Sequence, residues 1–294
     1  MRMIFLFIDG FGIGEDDVEK NPLKTGNASN IQYILENYKV FTTDACLGVA
    51  GLPQSATGQT AIFTGVNAPM VLGRHLSGQP TVSLKRIITK SNLFLELTKR
   101  GYSVTNSNVY REEYLVKMHD PKERRYRPSV TSVMTHSSGL AFRTAEDYKK
   151  GNGIYHDITG EILRSSGYDV ELITPQEAAL RLYKISRDHD FTLFEYFMTD
   201  LIGHKADMGE ASKVVERLDL FLGALIKLMD FEEDTLIIAS DHGNIEDVSV
   251  KTHTYNKVPT VLIGKVHEGA GITVESLTDI MPLVLQIFDM ERRK

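Results

Sequence analysis

Tryptophan is absent, and cysteine occurs once, at Cys46, in a chain of 294 residues. A lone cysteine excludes an internal disulfide framework and suits a reducing compartment. Its plain reading is a small buried apolar residue rather than a nucleophile. Long apolar runs are also missing. The N-terminal run Met3-Ile-Phe-Leu-Phe-Ile8 stops at Asp9. It is too short to cross a bilayer and carries no cleavage-site pattern, so neither anchor nor signal peptide is expected and the cytoplasm is the default. Positive charge is in deficit: 33 Lys and Arg against 39 Asp and Glu leave −6. No global basic field invites nucleic acid or an anionic membrane, and neither is an expected partner. Internal repeats and low-complexity tracts are absent too.

What is present reads as alternating strands and helices. Met3 to Ile8 is short, continuous and apolar, as a strand buried on both faces should be. Further strands are expected over 41–45, 102–109, 190–199, 234–240 and 258–264. Between them, Asn30 and Ser91 read as helix caps, and Thr174-Pro-Gln-Glu177 carries the signature of a capped helix start. Residues 209–229 form one long amphipathic pattern, and 276–288 close the chain as a helix with Pro282 in its first turn. Strands alternating with helices predict an α/β fold, with a mainly parallel central sheet covered by helices on both faces. From Tyr110 to Tyr168 the pattern weakens. The expected organisation is a core of residues 1–109 and 169–294, with 110–168 as an inserted cap or a set of long active-site loops.

The chemistry gathers at strand ends. Three apolar runs each finish near a carboxylate: Asp9, Asp200 with His204 four residues on, and Asp241 beside His242. In an α/β sheet that edge is where ligands bind. Converging carboxylates repel one another unless cations sit between them. With His253 they make six nitrogen and oxygen ligands, a set that suits Zn²⁺ or Mn²⁺. Gly10, Gly12 and Gly14 lack the spacing of a dinucleotide fingerprint, and the acidic residues after them would repel a phosphate. A nucleophile is expected in Ser55-Ala-Thr-Gly-Gln-Thr60, where three hydroxyls compete. Thr60 sits where a small-residue loop enters an expected helix, whose N-terminus would stabilise an alkoxide. Composition alone does not choose among Ser55, Thr57 and Thr60.

Five separated motifs then agree in order: Leu6-Phe-Ile-Asp-Gly10, Gly51 to Thr60, Asp200-Leu-Ile-Gly-His204, Ser240-Asp-His-Gly-Asn244 and Thr252-His-Thr-Tyr-Asn-Lys-Val-Pro259. Together they resemble the alkaline phosphatase superfamily, and within it the metalloenzyme branch that holds cofactor-independent phosphoglycerate mutase and phosphopentomutase. Leu277 to Pro282 is similar to that superfamily's terminal helix. The resemblance implies two divalent transition-metal ions, Mn²⁺ or Zn²⁺. One would be held by Asp200, His204 and His253, the other by Asp9, Asp241, His242 and a nucleophile that aligns with Thr60.

The resemblance covers residues 1 to about 75 and about 174 to 290, and leaves the insert unrecognised. Arg124, Arg125 and Arg127 in the insert, and Arg74 with His75 after the nucleophile loop, are candidate substrate binders, since guanidinium suits phosphate or carboxylate. Tyr155-His156-Asp157 reads first as structural and second as site-lining. The expected function is a two-metal phosphomonoester hydrolase acting on a small phosphorylated metabolite through a phospho-Thr60 intermediate. The alternatives are a phosphomutase, a phosphodiesterase on the same metals, and a non-catalytic metal-binding protein.

Overall fold

The structure is a computed structural model that describes residues 1–120, 122–264, 271 and 273–292. Its sheet has six strands among the described residues: β1 (Arg2–Ile8), β2 (Lys39–Thr43), β3 (Val104–Asn106), β4 (Phe191–Tyr196), β5 (Asp234–Ala239) and β6 (Val258–Gly264). Their spatial order is β2-β6-β5-β1-β4-β3. β1 pairs in parallel with both β4 and β5, and β3 pairs in parallel with β4. β6 is antiparallel to its neighbours β2 and β5.

The continuous apolar run of β1 follows from its place in the sheet. Ile4, Leu6 and Ile8 join one core, while Met3, Phe5 and Phe7 join the other. Successive side chains point to opposite faces, and both faces are covered, so every position must be apolar. Helices Ser29–Asn37, Pro175–Arg187 and Met208–Leu228 cover the first face; Ser55–Thr64, Leu93–Lys99 and Ile280–Glu291 cover the second. Each fully buried Phe along β1 contributes on the order of 2–3 kcal/mol through apolar burial.

Local capping signals hold where the partner is local. Thr174 and Glu177 form the reciprocal capping box that starts Pro175–Arg187. Two expected caps move. Asn92, not Ser91, accepts from the Leu95 amide. Asn30 lies inside its helix rather than capping it: the helix starts at Ser29. Asp219, buried in the Met208–Leu228 helix, accepts instead from the Ile31 amide at 2.8 Å and from Asn30 Nδ2 at 2.7 Å. A tertiary carboxylate supplies that cap, so no sequence neighbour could reveal it.

The stretch from Tyr110 to Tyr168 folds into short helices, Glu112–Lys117, Val130–Ser137, Ala145–Lys149 and Glu161–Ser165, with a single 3₁₀ turn at Arg124–Tyr126. Tyr148, Ile154, Ile158 and Leu163 from it are buried in the same cluster as β1 and β4 residues. Cys46 is free and half-buried, and burial pushes its thiol up, as befits an inert residue.

Candidate metal centre

β5, β1 and β4 lie side by side and run the same way, so their C-terminal ends meet. Asp9 follows β1 directly, and Asp241 follows β5 after Ser240. β4 ends earlier than expected, at Tyr196; Asp200 stands in the first turn of the short helix Met198–Gly203 that follows. His204 is the residue after that helix, and its Nε2 lies 3.3 Å from Asp200 Oδ1.

Asp200, His204 and His253 offer ligand atoms within 4.8 Å of one another, and so do Asp9, Asp200 and His242. Asp241 closes the second group: its Oδ2 lies 3.6 Å from His242 Nε2. His242 and His253 stack with ring centroids 3.7 Å apart. The six residues expected from the strand ends are therefore gathered in one place, with Asp200 reaching both halves.

The donor set fits divalent cations. His204 Nδ1 is 2.8 Å from the Lys251 carbonyl and His253 Nδ1 is 2.8 Å from the Pro53 carbonyl. With Nδ1 as donor, a neutral imidazole keeps its lone pair on Nε2, the arrangement that orients a ligating histidine. Those two Nε2 atoms face each other at 3.1 Å, both about 3.2–3.3 Å from Asp200 Oδ1. Asp9 Oδ1 and Asp241 Oδ2 are buried without a well-formed hydrogen bond. Lone pairs converging on lone pairs around the buried Asp9, Asp241 and His253 call for a positive charge between them.

The buried carboxylates and the imidazole shift one another strongly. Burial, then the charge of Asp241, raises Asp9 to about 7. Burial raises Asp241 to about 6, with Asp200 adding to the rise. Burial opposes a charged His242, but Asp241, Asp9 and Asp200 outweigh it and push the imidazole up to about 10. Burial also works against ionised Asp200, yet its hydrogen bond to His253 and the charge of His242 bring it down to about 2.

Thr60 is not at a helix entrance. The helix begins at Ser55, so Thr60 lies in its second turn, fully buried, with Oγ1 donating to the Ala56 carbonyl at 2.6 Å. Thr57 donates to the Gln54 carbonyl and accepts from the Leu76 amide. Ser55 is the hydroxyl that faces the ligands: its Oγ is 3.0 Å from His242 Nε2. The expectation that Thr60 stands at the entrance of the helix is corrected on that ground. Small residues from Gly48 to Gly58 hid the helix start, which lies well before the apolar pattern that begins at Ala61. Gln59, one turn after Ser55, donates to Asp9 Oδ2 at 2.9 Å and was missed.

A cavity of about 410 Å³ opens beside Ser55 and Asp9. Arg125 and Arg127 line it, as does Arg111, which sequence reasoning did not single out. Arg124 does not reach it, nor do Arg74 and His75; His75 Nε2 instead meets the Val49 carbonyl at 3.2 Å. In the polar triplet Tyr155-His156-Asp157 the roles divide. Asp157 accepts from the Gly160 and Ile162 amides, a structural cap, whereas His156 lines the cavity, stacked on Phe197 at 4.1 Å. Burial and Arg111 lower His156 to about 3, so it stays neutral there. Glu195 was also missed: it lines the cavity, accepts from Thr131 Oγ1, and burial raises it to about 7. A larger cleft of about 520 Å³, between Arg143 and Lys184, contains none of the ligand residues.

With this geometry in place, comparison with known proteins is informative. The model of the Metalloenzyme superfamily matches residues 1–292. The chain belongs to the metalloenzyme superfamily. Among curated relatives of this metalloenzyme, a 2,3-bisphosphoglycerate-independent phosphoglycerate mutase of Desulforudis audaxviator is 29% identical over 110 residues, 35% of this chain and 22% of that protein. The matched stretch thus spans about a fifth of the mutase. Among solved structures, a protein from Pyrococcus horikoshii superposes with a TM-score of 0.62 at 14% identity, covering 98% of this chain and 96% of that one. An alkaline phosphatase superfamily protein from Vibrio parahaemolyticus gives 0.52 at 12% identity, covering 97% and 65%. At such identities these likenesses speak for the fold, which is alkaline phosphatase-like, with divalent metal ions implied by the superfamily. Among the described residues no helix is long and apolar enough to cross a membrane.

Proposed function

We propose that this metalloenzyme transfers a phosphoryl group through Ser55 and returns it to a second position of the same small phosphorylated metabolite. One observation carries the reading. Ser55 is the first residue of the Ser55–Thr64 helix, its Oγ lies 3.0 Å from His242 Nε2, and it opens onto the arginine-lined cavity.

Asp200, His204 and His253 would hold one divalent ion, and Asp9, Asp241 and His242 the other, with Asp200 in reach of both. When bound, such ions supply Lewis-acid polarisation and neutralise charge on the phosphoryl group. Manganese is favoured by the resemblance to the mutases, and zinc is equally compatible with the nitrogen and oxygen donors. Ser55 Oγ attacks phosphorus and gives up its proton to solvent, while the substrate oxygen leaves and takes up a proton, giving a phosphoserine. The helix N-terminus favours the anion formed there. Gln59 fixes Asp9 through its Oδ2. Arg111, Arg125 and Arg127 face the part of the substrate that is not transferred, which points to a second anionic group such as a carboxylate.

Transfer back to the same molecule requires that the dephosphorylated intermediate stay in place. The cavity beneath the insert supports retention, and the curated relatives named as mutases support the same reading. Hydrolysis is the second reading. It is favoured by the modest size of the insert, whose helices are all short, because water needs no retained partner. Incubation of phosphoglycerates, phosphopentoses and simple phosphomonoesters with Mn²⁺ or Zn²⁺ separates the two. Isomerisation without net phosphate release is expected. Release without isomerisation would move the assignment to a phosphatase, and neither outcome with any substrate would refute phosphoryl transfer.

A further inference from the structure

Glu246 is 1% exposed and is no part of the ligand set, yet three loops of the metal centre converge on it. Its Oε2 accepts from the Gly12 amide at 3.0 Å and from the Asn244 amide at 2.7 Å. Its Oε1 accepts from Thr254 Oγ1 at 2.5 Å and from Asn256 Nδ2 at 3.1 Å. Gly12 lies three residues beyond Asp9. Asn244 lies two residues beyond His242, and Thr254 directly follows His253. The three loops share no other carboxylate that touches them all among the described hydrogen bonds.

The packing is as specific as the bonding. A Cβ at Gly12 or at Gly243 would collide with the Glu246 carboxylate, so both glycines exist to let backbone approach it. The chain of contacts continues. Asn244, whose amide Glu246 holds, donates from Nδ2 to Asp200 Oδ1 at 2.7 Å. Asp200 is the carboxylate common to both ligand groups. Glu246 therefore reaches all of the ligand-bearing segments by one hydrogen bond or two.

We propose that Glu246 is a positioning residue of the metal centre: its buried carboxylate binds the loops carrying Asp9, Asp241–His242 and His253 into one ligand geometry. The proposal rests on the reading of these residues as a metal centre. It also separates the two oxygens. Backbone N–H groups meet Oε2 and cannot become acceptors, whereas a hydroxyl and a side-chain amide meet Oε1 and can. A glutamine therefore fits in one orientation, with its carbonyl oxygen on the backbone amides and its NH₂ toward Thr254 and Asn256. Glu246→Gln should keep most of the arrangement, and Glu246→Ala should lose it.

The test is Zn²⁺ affinity of the chelator-stripped full-length protein, measured by competition with a chromogenic chelator, with circular dichroism confirming a folded state at the same temperature. Outer partners of metal ligands are commonly worth about 10–100-fold in affinity. Glu246→Ala is expected to weaken Zn²⁺ binding by roughly that factor and Glu246→Gln by much less. Should Glu246→Ala fail to fold, Thr254→Val, which removes one of the four bonds, is expected to weaken Zn²⁺ binding severalfold. Unchanged affinity in folded Glu246→Ala, or in Thr254→Val, would overturn the positioning role. Wild-type protein that binds no Zn²⁺ or Mn²⁺ at all would instead overturn the metal-centre reading on which it rests.

Discussion

Ser55 Oγ lies 3.0 Å from His242 Nε2, and Ser55 begins the helix that packs against the ends of β1 and β5. A hydroxyl, an imidazole and a helix N-terminus thus share one point beside two buried carboxylates. Ser55→Ala should abolish turnover and phosphoprotein formation while leaving the metal content intact. Thr60→Ala should keep turnover and cost about 1–2 kcal/mol of stability, from one lost internal hydrogen bond and a small cavity. Steady-state assays with denaturant titrations read both. An active Ser55→Ala enzyme would remove Ser55 from the chemistry.

Arg125 and Arg127 line the cavity and Arg124 does not. A hydrogen bond to a charged group contributes about 1.5–3 kcal/mol, which corresponds to about 10–150-fold in binding. Arg125→Ala and Arg127→Ala should each raise KM within that range, and Arg124→Ala should leave KM unchanged. Equal effects at all three positions would mean that the triplet acts only through its summed charge.

Asp200 belongs to both groups of ligand atoms, whereas His204 belongs to one. Metal analysis of Asp200→Ala should show loss at both sites, and His204→Ala should lose one ion and retain the other. Chelation of the wild type should lower its Tm, because ions that bind only the folded state stabilise it by about 2.7 kcal/mol at 100 times Kd. A thermal shift insensitive to chelator would contradict a metal centre formed by folding.

Burial raises Glu195 from its ordinary 4.5 to about 7. Between these values the folded state keeps a proton that the unfolded state has lost. Stability therefore falls as pH rises from about 4.5 to about 7, by roughly 3 kcal/mol in total. In metal-free protein, the stability of wild type minus that of Glu195→Gln should decline across this window. Denaturant unfolding at several pH values measures it, and a flat difference would show that Glu195 is ionised in the fold.

The strands, and the carboxylates that stand at their ends, were legible in sequence for a simple reason. Residues 3–8 and 234–239 are buried on both faces, so their pattern is continuous and ends abruptly where the chain meets Asp9 and, after Ser240, Asp241. The capping box at Thr174 was legible because both partners lie within four residues. What the sequence by itself determined is thus local: which runs are buried, and which carboxylates and imidazoles stand at their ends. Tertiary structure decided the rest. Asp219 caps a helix from a neighbouring helix 188 residues along the chain, and Glu246 ties together loops more than two hundred residues apart. The different surroundings of Ser55 and Thr60 also needed the fold, because helical periodicity turns Thr60 inward to Ala56 while Ser55 meets His242, 187 residues away. Hydrogen bonds between distant segments leave no periodic trace in a chain, and they are what aim the residues of this site.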